Sequence, residues 1–127
     1  MFAILQWTEA ASILDTCDYY SEIHMLDCSQ SLLEEFPGSV GALNTSDVHE
    51  IKLNHNQLVA VPDLSVFRNL KHLDISYNKI TQLPSPAFRG LNKLESLDLS
   101  MNKGFTLSDE AIHHEAFHTL GNLKTLK

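Results

Sequence analysis

No lysine or arginine occurs among residues 1–50 of this 127-residue chain, and all nine basic side chains lie between Lys52 and Lys127. The formal net charge is −7. Without clustered Lys and Arg, a nucleic-acid partner is excluded, because phosphate binding rests on such clusters. Long apolar runs are also missing. None approaches the ~20 residues that cross a bilayer, so membrane association requires a segment outside this chain. The start lacks the positive n-region of a secretory leader, and Met1–Leu5 is short for its hydrophobic core, although Glu9–Ser12 ends in small residues. Residues 1–16 read as a leader or a truncated signal segment, a reading compatible with secretion. The acidic first third is either a solvated surface or a patch that meets a basic partner.

What is present is a repeat. The hydrophobic fraction is 43%, enough for one continuous core. From Val48 the pattern L-x-x-L-x-L-x-x-N-x-L recurs. Its first copy is Val48, Ile51, Leu53, Asn56 and Leu58; its second is Leu70, Leu73, Ile75, Asn78 and Ile80. A third has Leu94, Leu97, Leu99 and Asn102, with Gly104 in the last apolar place, and Leu123 and Leu126 open a fourth. The x-L-x-L stretch alternates, so its apolar members enter a core while the intervening residues face out. Asn56, Asn78 and Asn102 follow each strand, where a buried amide can satisfy backbone groups along a stack. Val61-Pro62 and Leu83-Pro84 begin return segments. Leu64, Phe88 and Phe117 fill the far wall, followed three residues later by Phe67, Leu91 and Leu120. One copy cannot bury its own apolar face, so stability comes from stacking neighbours.

These residues resemble the leucine-rich-repeat family over Cys17 to Lys127. The resemblance implies an α/β solenoid with a short parallel β-sheet on its concave face and irregular or short helical return segments. Repeats are expected at 48–69, 70–93 and 94–122, with a fourth beginning at 123–127. Residues 17–47, with Cys17-x10-Cys28, Leu32-Leu33 and Phe36-Pro37, resemble the two-cysteine amino-terminal caps of Toll-like receptors. Many secreted relatives use four cysteines instead. A capping β-hairpin is implied, with strands near Cys17–Tyr20 and His24–Cys28, Met25 or Leu26 turned inward, and a Cys17–Cys28 disulfide. Closing so short a loop stabilises by about 3 kcal/mol. The alternative is a pair of buried free thiols in a cytosolic repeat protein. Asn44-Thr45-Ser46 is the single N-x-S/T sequon, a glycan acceptor in a secreted protein or otherwise a plain turn.

His114-Glu115-Ala116-Phe117-His118 is a literal H-E-x-x-H, and through Gly121 it resembles the zinc helix of metzincin proteases. The third-ligand position of that pattern is Lys124, whose ammonium has no lone pair for a metal. Phe117, Leu120, Leu123 and Leu126 also repeat the spacing of Phe88, Leu91, Leu94 and Leu97. A zinc metallopeptidase is therefore the remote alternative. No catalytic residue, metal or cofactor is expected, although His113, His114 and His118 could hold an adventitious metal. Residues 104–114 exceed the template and read as a loop insertion or a protruding contact loop.

Ligand-facing positions are the outward residues of the strands. Asp74, Ser76, Asp98 and Ser100 follow family habit, whereas Lys52, His55, His72, Tyr77 and Met101 depart from it. His55, Tyr77 and Met101 share one repeat position and are expected to stack as a column, with Tyr and Met of the kind enriched in interfaces. Four strands span only about 15 Å, less than a specific protein interface needs, so further repeats are expected beyond Lys127. The resulting expectation is a non-catalytic, extracellular binding module that recognises a protein, microbial or other macromolecular ligand on its concave face. Either it belongs to a Toll-like innate-immune or developmental receptor, where the complete protein could dimerise, or to a secreted adhesion or matrix protein.

Overall fold

The computed structural model describes residues 12–104, 113 and 115–127. Six strands form one sheet in chain order: β1 (Asp18–Tyr20), β2 (Met25–Asp27), β3 (Glu50–Lys52), β4 (His72–Asp74), β5 (Ser96–Asp98) and β6 (Thr125–Leu126). β1 and β2 are antiparallel, and every later pairing is parallel. The register aligns Leu26, Ile51, Leu73 and Leu97, so these side chains make one inward column. Cys28, Leu53 and Ile75 make the next, and all seven are buried. Each strand is held at its entry by the same device. The His24 carbonyl accepts from both the His49 and Glu50 N–H groups, and the His49, Lys71 and Glu95 carbonyls do likewise one repeat on.

The return segments are successive three-residue turns and not helices. Phe67 N–H donates to the Leu64 carbonyl and Leu70 N–H to the Phe67 carbonyl; Phe88, Leu91 and Leu94 repeat this, as do Phe117, Leu120 and Leu123. Each turn drops one apolar side chain into the far wall. Phe67 and Phe88 are completely enclosed there, whereas Phe117 is half-buried, stacked on Phe88 at 5.8 Å, beside a buried Ala116.

The cap forms as the expected hairpin, with Leu26 rather than Met25 buried. Cys17 and Cys28 are joined in a disulfide, both sulfurs within the core. The expected boundary at residue 16 shifts upstream. Ser12 caps a short helix α1 (Ile13–Thr16) through a capping box with Asp15, and Ser12 bridges Ser39. Ile13 is fully buried and donates its N–H to the Ser39 carbonyl at 2.7 Å. Residues 12–16 thus pack against the cap through the buried Ile13 side chain and its paired amide. Residues 1–11 lie outside the described residues, as do 105–112 and 114 of the expected insertion.

Candidate functional site

The core side of the sheet is sealed, which leaves the opposite, concave side and its rims as the exposed surface of the sheet. At the centre of each strand end, an Asp and a Ser two residues on are self-contained. Asp27 Oδ1 accepts from the Ser29 N–H (2.9 Å) and hydroxyl (2.6 Å), and the pairs Asp74–Ser76 and Asp98–Ser100 repeat these distances. Such carboxylates are occupied at home. The first repeat departs from the pattern with Lys52 and Asn54. Lys52 stands in register between Asp27 and Asp74, while His72 is exposed beside Glu50 and Ser96. Asn54 turns its Nδ2 to His55 Nδ1 at 3.1 Å, and its buried Oδ1 has no partner among the described residues.

His55, Tyr77 and Met101 form the expected column, but at the rim where the strands end. Each has positive φ, 58°, 54° and 58°, as does Gln30 at 52° one repeat earlier. This left-handed conformation is uncommon for residues other than glycine. It is held because the N–H groups of Gln30, His55 and Tyr77 donate to the carbonyls of Asn54, Ser76 and Ser100 in the next repeat. The turn directs the following Asn inward and leaves its own side chain exposed. The His55 and Tyr77 rings stack at 4.2 Å and 10°, with Met101 half-exposed beyond.

Behind the rim the three asparagines form the expected ladder. Asn56 Oδ1 accepts from the Ser31 and Leu33 N–H groups, Asn78 Oδ1 from Leu58 N–H and Asn102 Oδ1 from Ile80 N–H, all at 3.0 Å. Their Nδ2 groups donate to carbonyls of their own and the preceding repeat, Leu53 accepting from Asn56 and Asn78 together. On the opposite edge lies a second Asn series that the template missed. Asn69 and Asn122 donate to the Ser46 and Asn92 carbonyls at 2.8 and 2.6 Å. Their signal was an Asn directly before Leu70 and Leu123. The same edge holds a tilted His24–His49 ring pair at 4.6 Å. Burial first, then His24 and Lys71, lower the His49 pKa below the ordinary histidine value. Lys124 Nζ meets Glu95 Oε1 at 2.7 Å and holds that carboxyl below the usual range.

Asn44 is exposed; its Oδ1 accepts from the Ser46 N–H and hydroxyl, and its Nδ2 donates to Asp47. The H-E-x-x-H segment does not make the helix that a zinc site needs. The His113 N–H donates to the Leu83 carbonyl, Ala116 is buried, and residues 115–119 turn to stack Phe117 on Phe88. His114 itself lies outside the described residues. Among the described residues no three His, Cys, Asp or Glu side chains converge on a metal position.

Residues 46–103 match the leucine rich repeat family model. The chain is similar to chaoptin of Drosophila melanogaster, 29% identical over 97 residues, and to Toll-like receptor 2 type-2 of Gallus gallus, 33% identical over 106 residues. It is also similar to leucine-rich repeat-containing G-protein coupled receptor 5 of Rattus norvegicus, 34% identical over 88 residues. These matches cover 73%, 81% and 68% of this chain, but the chain spans only 7%, 13% and 9% of those relatives. Among solved structures, human 5T4 (Wnt-activated inhibitory factor 1, trophoblast glycoprotein) superposes with a TM-score of 0.66. That likeness covers 95% of this chain and 41% of the other, at 22% identity, and so speaks to the fold alone. With its stacked parallel strands, its asparagine ladder and its disulfide-closed cap, the chain folds as a leucine-rich-repeat solenoid whose residues 46–103 carry that family's repeat.

Proposed function

We propose that this chain is the amino-terminal part of an extracellular receptor of the Toll-like kind, binding a protein ligand on its concave face. The observation that carries the reading is the oxidised, buried Cys17–Cys28 pair closing a cap that continues in register into the sheet. Disulfides persist in oxidising compartments, and a capped solenoid shields its core while leaving one face free. On that face Lys52 and His72 are the side chains not committed to Asp–Ser pairs. Asp27, Asp74 and Asp98 beside them are held by their own serines, so Lys52 and His72 are the groups offered to a partner. An exposed Asn44 is suited to carry a glycan, since it caps a single turn just before β3.

The test is to express the chain through a secretory pathway and isolate it without reductant. Oxidised cysteines, a mass shift abolished by Asn44→Gln, and cell-surface crosslinks lost in Lys52→Glu/His72→Ala would support the reading. Free thiols at Cys17 and Cys28 would overturn it in favour of an intracellular scaffold. Crosslinks confined to matrix components would favour a secreted adhesion protein.

A further inference from the structure

The two rims of the sheet differ in chemistry. Beside the His55–Tyr77–Met101 column runs a second column made by the residue after each ladder asparagine: Gln57, Lys79 and Lys103. The two columns and Leu32 enclose an open groove of about 540 Å³. Its apolar side is unusually bare. Leu32 is 75% exposed, Tyr77 47% and Met101 48%. Its cationic side makes no ion pair among the described residues, where the sole one is Lys124–Glu95 on the opposite edge, while Glu34 and Glu35 line the neighbouring pocket with Gln57 and Lys79. In a chain of net charge −7, Lys79 and Lys103 bring two cations together beside an apolar strip.

We propose that this groove binds an extended acidic segment of a protein partner, one that interleaves carboxylates with aromatic or aliphatic side chains. The proposal rests on the binding-module reading and adds a second site, at the rim rather than on the concave face. Lys79 and Lys103 receive the carboxylates, while Tyr77, Met101 and Leu32 receive the apolar side chains. His55 is pre-positioned. Its Nδ1 lies 3.1 Å from Asn54 Nδ2, which holds one edge of the ring. Stacking on Tyr77 fixes the ring in that orientation. A sulfated polysaccharide or a nucleic acid fits less well. Two lysines neutralise few charges of a polyanion, and Leu32 and Met101 offer it nothing.

The test uses a fluorescent Glu/Leu/Phe peptide, its Lys/Leu/Phe counterpart and a heparin oligosaccharide, measured by polarisation against the whole chain. Variants are Lys79→Glu/Lys103→Glu, Tyr77→Asn and Met101→Asn. Asn tolerates the left-handed backbone, so the last two remove apolar surface with the turn retained, and circular dichroism checks the fold of all three. The acidic peptide is expected to bind saturably and to weaken about tenfold in the lysine double variant, which gains affinity for the basic peptide. Tyr77→Asn and Met101→Asn are each expected to weaken the acidic peptide severalfold. Lys52→Glu/His72→Ala is expected to leave it unchanged, which separates this groove from the concave face. Absence of acidic-peptide binding overturns the proposal, as does equal binding to the charge-reversed variant. Tighter heparin binding that survives Met101→Asn also overturns it, by showing attraction through charge alone.

Discussion

Replacing the ladder asparagines one at a time should give unequal losses, and the hydrogen bonds set the order. Asn78→Ala removes four bonds, but the Leu53 carbonyl keeps Asn56, the Ile75 carbonyl keeps Asn102, and the Ser76 carbonyl keeps the His55 N–H. Only the buried Leu58 N–H is stranded. A stranded buried group costs about 1–3 kcal/mol, which is the loss expected for this variant. Asn56→Ala strands the Ser31 and Leu33 N–H groups and removes the donor to the Cys28 carbonyl. Its loss should still be the larger, although the Ser31 and Leu33 groups are only part-buried and water recovers some of their cost. Urea unfolding followed by far-ultraviolet circular dichroism, extrapolated linearly, measures both. Equal losses, or a larger one for Asn78→Ala, would refute the reasoning that shared carbonyl acceptors buffer the middle rung.

Cys17→Ala/Cys28→Ala should cost about 3 kcal/mol on loop-closure grounds and raise amide exchange in β1 and β2 ahead of β4 and β5. Phe88→Ala, which empties the enclosed far wall and unstacks Phe117, should cost about 3–5 kcal/mol by the same unfolding measurement. Lys52→Asp/Asn54→Ser restores the Asp–Ser pair of the other repeats and removes the unpartnered Asn54 Oδ1, so it should raise the unfolding midpoint. A lowered His49 pKa means that the unfolded chain binds this proton more readily than the folded one. Stability contributed by neutral His49 is thus complete above the ordinary histidine value and declines as pH falls below it. The groups around His49 are His24, Lys71, Asp47 and Lys93, and His49→Gln should flatten the decline between neutral and mildly acidic pH.

The apolar periodicity made the sheet legible, because burial on one face imposes alternation and every inward leucine reports it. Asn56, Asn78 and Asn102 were readable for the same reason, since a buried amide after a strand has few substitutes. The cap was harder. His24–Gln30 is a repeat in all but letters, with Asp27 and Ser29 matching Asp74 and Ser76. Cys28 stands there for the usual Leu, and Ser31 for the usual Asn, so the template begins only at Val48. Ile13 was hidden because one buried side chain carries no period. The placing of the outward column at the rim, where the strands end, also escaped the sequence. It depends on a left-handed turn at His55, Tyr77 and Met101 that none of those residues announces. Lys79 and Lys103 acquire meaning only once the turns set them beside that column.

The asparagine ladder also has a direction in time. Each side-chain oxygen reaches back to an amide one repeat earlier: Asn78 to Leu58, Asn102 to Ile80. A ribosome delivers this chain from the other end, so every newly emerged repeat waits with an unanswered amide until its successor appears. Completion therefore lags synthesis by one repeat, and the growing solenoid carries its least finished turn at the tip, where a chaperone would find it.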